Sequence, residues 1–298
     1  MPVESLDLSS AKRPAPNAPF TRRALSPLMA AEIVGLDLSR PVGENLRDAI
    51  LETFNRDHVL VFRDQHLSKA EQIAFTETFG ELEPHVNADF RGHEFPHLHV
   101  VNNLGPDGKP ARALTNKGNY AWHTDKSYMA VPSLATLLFA VEVPPEGGDT
   151  EFADMQAAYA ALSDDMKARI GTLRMVHSWE RSREKSGSKP ATEQEKRDAP
   201  PVVHPLVRTH PATGAKSLYI GTHASHVEGW PRADGERLLK ELQDFATQER
   251  FIYRHRWRPG DLVMWDNRCL LHRATDTYDM DKHRRILHRT VVRGAVPV

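Results

Sequence analysis

Trp122-His123-Thr124-Asp125 and, far downstream, His272 are the residues whose types and spacing could hold a reactive metal. His123 and Asp125 stand two positions apart, so on an extended strand both side chains project to one face. His272 comes 149 residues later, within Met264-Trp265-Asp266-Asn267-Arg268-Cys269-Leu270-Leu271-His272-Arg273. Two imidazoles and one carboxylate on one face of a metal suit Fe(II) and leave the remaining coordination positions open, an arrangement made for oxygen chemistry. Alone, His-x-Asp is a weak signal, equally compatible with a surface histidine beside a solvated aspartate, and the rest of the chain has to support it.

Several short strands with turn signals between them carry this set. Apolar runs predict strands around Ile33 to Leu38, His58 to Arg63, His97 to Val101 and Ala135 to Val143. Further strands are expected at Glu151-Phe152, Val202 to Val207, Ser217 to Ile220, Phe251 to Trp257, Asp261 to Trp265 and Ile286 to Val292. Helical spacing marks Glu44 to Phe54, Met155 to Leu162, Asp164 to Ile170 and Ala233 to Thr247. Ser68-Lys69-Ala70-Glu71 reads as a capping box opening another helix that ends at Gly80. The pattern is mainly β with added helices, an α+β chain built on a barrel or double-sheet jelly roll.

Residues 1–20, with Pro2, Pro14, Pro16 and Pro19, read as a flexible arm, and 21–298 as one domain. Two insertions are expected in it: an irregular loop over 81–120 and a charged, solvated loop or flap over 180–201. His85, His93, His97 and His99 sit at spacings that fit no tight ligand set, and Cys269, among apolar neighbours, reads as a small buried residue.

The chain has 298 residues, 40% hydrophobic and 27% charged, with a net charge of −1. No global basic field exists to draw nucleic acid, so a charged ligand must be held locally. With a single cysteine no intrachain disulfide can form, and no run of residues is apolar and long enough to span a bilayer. These features, together with the lack of a basic-then-apolar N-terminal stretch, lead us to expect a soluble cytoplasmic protein without membrane partners. No Gly-x-Gly-x-x-Gly or Gly-x-x-x-x-Gly-Lys motif accompanies a strand-to-helix junction, which removes support for dinucleotide and P-loop readings.

Beside the triplet, Gly147-Gly148-Asp149-Thr150-Glu151-Phe152, the run from Tyr253-Arg254-His255-Arg256-Trp257 to Trp265-Asp266-Asn267-Arg268, and His272 followed by Arg284-Arg285 and Arg289 appear in that order. In these motifs the chain, from about Leu25 to its end, resembles the TauD/TfdA family of Fe(II)- and 2-oxoglutarate-dependent dioxygenases. The resemblance implies a double-stranded β-helix (jelly-roll, cupin-like) core and His123, Asp125 and His272 as iron ligands. It implies that Thr150 and Arg285 hold the far carboxylate of 2-oxoglutarate, the latter through a bidentate charge-assisted pair. Arg289 is then expected near the metal-bound end of the cosubstrate and on the acidic group of the substrate, with Asn119 and His85 as further substrate-side residues.

The resemblance further implies Fe(II), 2-oxoglutarate and O2 as cofactor and cosubstrates, succinate and CO2 as products, and a homo-oligomer, dimer or tetramer. Tyr219 to Gly229 and Phe251 to Arg273 look more like the phenoxyacetate branch than the taurine branch. An aryloxyalkanoate-type carboxylate is therefore the expected small acidic substrate, hydroxylated beside its ether oxygen so that it collapses to a phenol and an oxo acid. Taurine or another alkylsulfonate is the alternative. A catalytically inactive jelly-roll binding protein and a zinc hydrolase are readings of different classes; the first leaves the retained triad unexplained, the second Arg285 and Thr150.

Overall fold

The computed structural model describes residues 19–84, 94–115 and 117–298. In chain order the strands begin with β1 (Thr21–Ala24), β2 (Ala31–Val34), β3 (Val59–Phe62), β4 (His99–Asn102), β5 (Ser133–Glu142) and β6 (Thr150–Asp154). They continue with β7 (Arg174–His177), β8 (Val202–Pro205), β9 (Val207–Thr209), β10 (Lys216–Leu218) and β11 (Ala224–Val227). The last four are β12 (Ile252–His255), β13 (Leu262–Asp266), β14 (Leu270–Ala274) and β15 (Ile286–Arg293). The helices are α1 (Glu44–Asp57), α2 (Lys69–Glu77), α3 (Met155–Ala160), α4 (Asp164–Ile170), α5 (Trp179–Ser186), α6 (Glu193–Asp198) and α7 (Arg232–Ala246). Among the described residues strands outnumber α-helices fifteen to seven, which fits the expected mainly β chain with added helices.

A seven-stranded sheet, in the order β1-β2-β3-β13-β5-β15-β4, is antiparallel except for the β2–β3 pair. All four residues of β3 are buried because both faces of this sheet are covered. Leu60, Phe62, Leu137, Phe139, Leu262 and Met264 pack with Ile50 and Phe54 of α1 and Phe75 of α2. On the opposite face Val59, Val61, Leu138, Val263 and Trp265 meet Phe152, Tyr253 and Leu270 of a second sheet, β12-β6-β14. A third cluster joins α3 and α7 to the back of that second sheet through Ala153 and Leu271.

The capping box at Ser68 forms as read, with Ser68 Oγ accepting from the Glu71 amide and the Glu71 carboxylate accepting from the Ser68 amide. Three expectations change. Phe20, placed in the N-terminal arm, is buried in the core, and the strand expected from His97 starts at His99. The segment 180–201, read as a solvated loop or flap, contains α5 and α6. These helices lack an apolar stripe; caps and charge pairs hold them instead. Ser178 caps α5, Gly187 ends it in the left-handed conformation, and Thr192 and Glu195 form a capping box on α6. Arg181 reaches Glu184 at 2.6 Å and Glu236 of α7 at 3.0 Å, Lys185 reaches the Ala224 carbonyl, and Lys196 ties α6 to Glu180.

Candidate active site

His272 lies on β14, where it pairs with Phe152 of β6, as a strand position should. His123 and Asp125 reach it by a different route from the expected strand. His123 forms a single antiparallel bridge with His272, the two exchanging amide-to-carbonyl hydrogen bonds of 3.1 and 2.8 Å. The chain turns just after Asp125, with Lys126 at φ 53°, so His123 and Asp125 sit at an isolated bridge and the start of a turn instead of inside a regular strand. One candidate ligand atom each from His123, Asp125 and His272 lie within 4.8 Å of one another; Asp125 and His272 are buried and His123 is partly buried.

The chemistry of these donors fits a divalent transition metal. The Ala121 carbonyl, 2.7 Å from His123 Nδ1, can only accept, so Nδ1 carries the proton and Nε2 keeps its lone pair for a metal. Asp125 is held by Thr136 Oγ1 donating to Oδ2 at 2.5 Å and by Arg289 Nη2 at 2.9 Å from Oδ1. Burial raises the carboxyl's pKa, but Arg289, His272, His123 and the Thr136 hydroxyl outweigh it and keep it well below the usual carboxylate range. Burial also pushes His123 and His272 down, which favours the neutral imidazoles that a metal would need. Among the described residues a second buried group, His58, Asp266 and Cys269, comes equally close. There Asp266 already accepts from Arg268 at 2.6 Å and pairs with His210 at 3.0 Å, which marks a structural charge cluster.

A cavity of about 460 Å³ opens beside the triad and is lined by Asn119, Thr150, Arg285 and Arg289 as well as His123, Asp125 and His272. Thr150 Oγ1 accepts from the indole N–H of Trp257 at 3.0 Å, so its own proton is directed elsewhere and available to an anion. Arg285 gives Nε to the Gly148 carbonyl at 3.2 Å, leaving both Nη nitrogens for a ligand. The Gly147-Gly148 turn makes that carbonyl available: a Cβ on Gly147, at φ +75°, would stand 2.2 Å from the Thr277 carbonyl oxygen. Burial lowers the Arg285 pKa, yet a guanidinium remains cationic there, and among the described residues no side-chain carboxylate is paired with it. A buried cation beside a directed hydroxyl is an anion site.

Of the residues singled out from the sequence, His123, Asp125, His272, Thr150, Arg285, Arg289 and Asn119 thus gather around one cavity. His85 lies outside the described residues. Trp257, Thr136 and Asn267, whose partners are remote in sequence, carried no signal of their roles, and neither did the wall supplied by α5 and α6. Trp179 and Arg183 of α5 and Glu195 of α6 line the cavity. The Thr192-x-x-Glu195 spacing was the one local pattern that could have marked α6. In an adjoining recess Tyr128 packs 4.8 Å from both Trp179 and His223, and Arg183 sits 5.3 Å above the Trp179 ring. Burial, then the neighbouring His123, drives the His223 pKa down to about 3, so this wall is aromatic and uncharged on that side.

Comparison with known proteins agrees with this geometry. The family model "Taurine catabolism dioxygenase TauD, TfdA family" matches residues 21–291. The alpha-ketoglutarate-dependent 2,4-dichlorophenoxyacetate dioxygenase of Cupriavidus pinatubonensis is 44% identical over 280 residues, covering 91% of this chain and 97% of the relative. The (S)-phenoxypropionate/alpha-ketoglutarate-dioxygenase of Sphingobium herbicidovorans is 43% identical over 246 residues, 78% of this chain and 81% of its own. The crystal structure of AAD-2 in complex with Mn(II) and N-oxalylglycine superposes with a TM-score of 0.84 at 38% identity, covering 93% of this chain and 98% of that one.

Proposed function

The chain belongs to the TauD, TfdA family, and on that premise we propose that it is an Fe(II)- and 2-oxoglutarate-dependent dioxygenase acting on an aryloxyalkanoate-type carboxylate. It hydroxylates the carbon beside the ether oxygen, yielding a phenol and an oxo acid, with release of succinate and CO2. The observation that carries this reading is the single cavity shared by His123, Asp125, His272, Thr150, Arg285 and Arg289. His123, Asp125 and His272 hold the metal. Iron with 2-oxoglutarate supplies the oxygen activation; the protein supplies position, charge and exclusion of water.

Thr150 and the free Nη nitrogens of Arg285 hold the far carboxylate of 2-oxoglutarate. Arg289, paired with Asp125 at 2.9 Å, reaches the metal side of the cavity and takes the substrate's acidic group. Tyr128, Trp179 and His223 offer an apolar wall for an aryl ring, which a small alkylsulfonate would leave unfilled. Asn119 lines both the cavity and its recess and belongs to the substrate side, and His85 is assigned there from the resemblance alone.

The same proposal takes 21–298 as one domain with a double-stranded β-helix core, which the two facing sheets support. It includes a homo-oligomer and residence in the reducing cytoplasm, in keeping with the lone buried cysteine. None of the helices among the described residues is long and apolar enough to cross a membrane. The test is anaerobic addition of Fe(II) and 2-oxoglutarate to the metal-free protein. A visible charge-transfer absorption is expected; a folded protein that gives none is a binding protein and not this enzyme.

A further inference from the structure

The run Trp265-Asp266-Asn267-Arg268 has so far no part in the chemistry, yet its asparagine sits directly behind the metal-ligating carboxylate. Asn267 is buried, and its amide makes four contacts, the longest with Thr124 Oγ1 donating to Oδ1 at 3.4 Å. The Trp265 indole N–H and the Asp125 backbone N–H both point at Oδ1, each at 3.2 Å. Nδ2 stands 2.9 Å from Thr136 Oγ1. Two obligate donors face one end, so that end must be the oxygen, and the orientation of the amide is forced by its partners. Nδ2 therefore donates to Thr136 Oγ1. With a lone pair of that hydroxyl taken, its proton goes to the remaining neighbour, Asp125 Oδ2, at 2.5 Å.

We infer that Asn267 and Thr136 form a one-directional hydrogen-bond relay that positions Asp125 for metal binding, Asn267 acting through Thr136 as a positioning residue. The same asparagine fixes the backbone of the His123-x-Asp125 turn, because Thr124 Oγ1 donates to the Asn267 carbonyl at 2.8 Å while the Asp125 amide bonds its side chain. Thr136 occupies Oδ2 and Arg289 occupies Oδ1, which locks the rotation of the carboxylate with Oδ2 toward His272 Nε2, 3.8 Å away. A carboxylate free to rotate would have to be ordered by the metal, and the lost freedom would appear as weaker binding.

The inference rests on the proposed metal site, and Mn(II) is the probe that separates the two, being redox-silent and free of turnover. Mn(II) affinity is measured on wild type, T136S, T136V and N267D, with the melting temperature of each metal-free protein as the folding control. T136S keeps the hydroxyl and should bind within about threefold of wild type. T136V removes it; N267D keeps the oxygen that serves Trp265 and the Asp125 amide but turns the Thr136 proton away from Asp125. Both should lose about 10- to 100-fold in Mn(II) affinity, the usual cost of an outer partner of a ligand. If T136V fails to fold, N267D carries the test. A T136V or N267D protein that binds as wild type overturns the relay, and so does T136S losing as much as T136V. Wild type that takes up no Mn(II) overturns the relay together with the metal site beneath it.

Discussion

Arg289 Nη2 stands 2.9 Å from Asp125 Oδ1, so the arginine proposed to take the substrate is already engaged with the carboxylate proposed to ligate the metal. On the proposed assignment this pair would bring an acidic substrate to the metal, because the cation that receives it is anchored on the proposed ligand set. Replacing Arg289 with Ala should weaken apparent substrate affinity, read as a higher Michaelis constant, by roughly 10- to 100-fold, the equivalent of one charge-assisted hydrogen bond. The Michaelis constant for the cosubstrate should move much less. Equal effects on both would reject the substrate role.

Arg285 should behave in the opposite way. A lysine there keeps the charge but cannot both serve the Gly148 carbonyl and grip a carboxylate in bidentate fashion. R285K is expected to weaken 2-oxoglutarate binding by roughly tenfold or more, seen as a higher concentration needed to develop the charge-transfer band. Unchanged cosubstrate affinity would contradict the assignment.

The Trp257 indole directs the Thr150 hydroxyl from 3.0 Å. W257F retains the ring and removes that donor, leaving Thr150 free to turn its proton away from the cosubstrate. Loss of one neutral hydrogen bond costs about 1 kcal/mol, or roughly fivefold in 2-oxoglutarate affinity, and T150V should cost at least as much. W257F indistinguishable from wild type would mean that Thr150 needs no such direction.

Local patterns were legible where a few neighbouring residues decide the outcome. The Ser68-Glu71 capping box and the apolar run in β3 are cases of this kind, and both form as read. The three metal-ligand candidates were legible as residue types, but not the way they meet, because a single bridge to His272 and a turn at Lys126 are tertiary facts. Asn267 and Trp257 stood in the quoted motifs, but their roles stayed hidden for the same reason: their partners Asp125 and Thr150 lie 142 and 107 positions away. α5 and α6 escaped because their stability comes from caps and charge pairs to α7 and to each other, and hydrophobic period carries no trace of either.

Buried histidines set an acid limit on the metal-free protein. Burial holds His177 and His272 well below the ordinary imidazole value and His223 at about 3. A folded pKa below the unfolded one means that the unfolded chain binds more protons between about pH 3 and 6.5, so stability rises with pH there. The contribution of His223 is fully present above pH 6.5 and is lost as pH falls, at about 1.4 kcal/mol per pH unit. The urea midpoint of the metal-free protein should therefore drop between pH 7 and pH 5.5. A flat midpoint would show that these rings take up protons in the fold as readily as in the unfolded chain, and would contradict the depressed values.

The central claim is the substrate class, and product stoichiometry tests it most directly. With Fe(II), 2-oxoglutarate and O2 present, 2,4-dichlorophenoxyacetate or another aryloxyalkanoate should stimulate succinate formation and release about one phenol per succinate. Succinate formation stimulated by taurine and by no aryloxyalkanoate would contradict it.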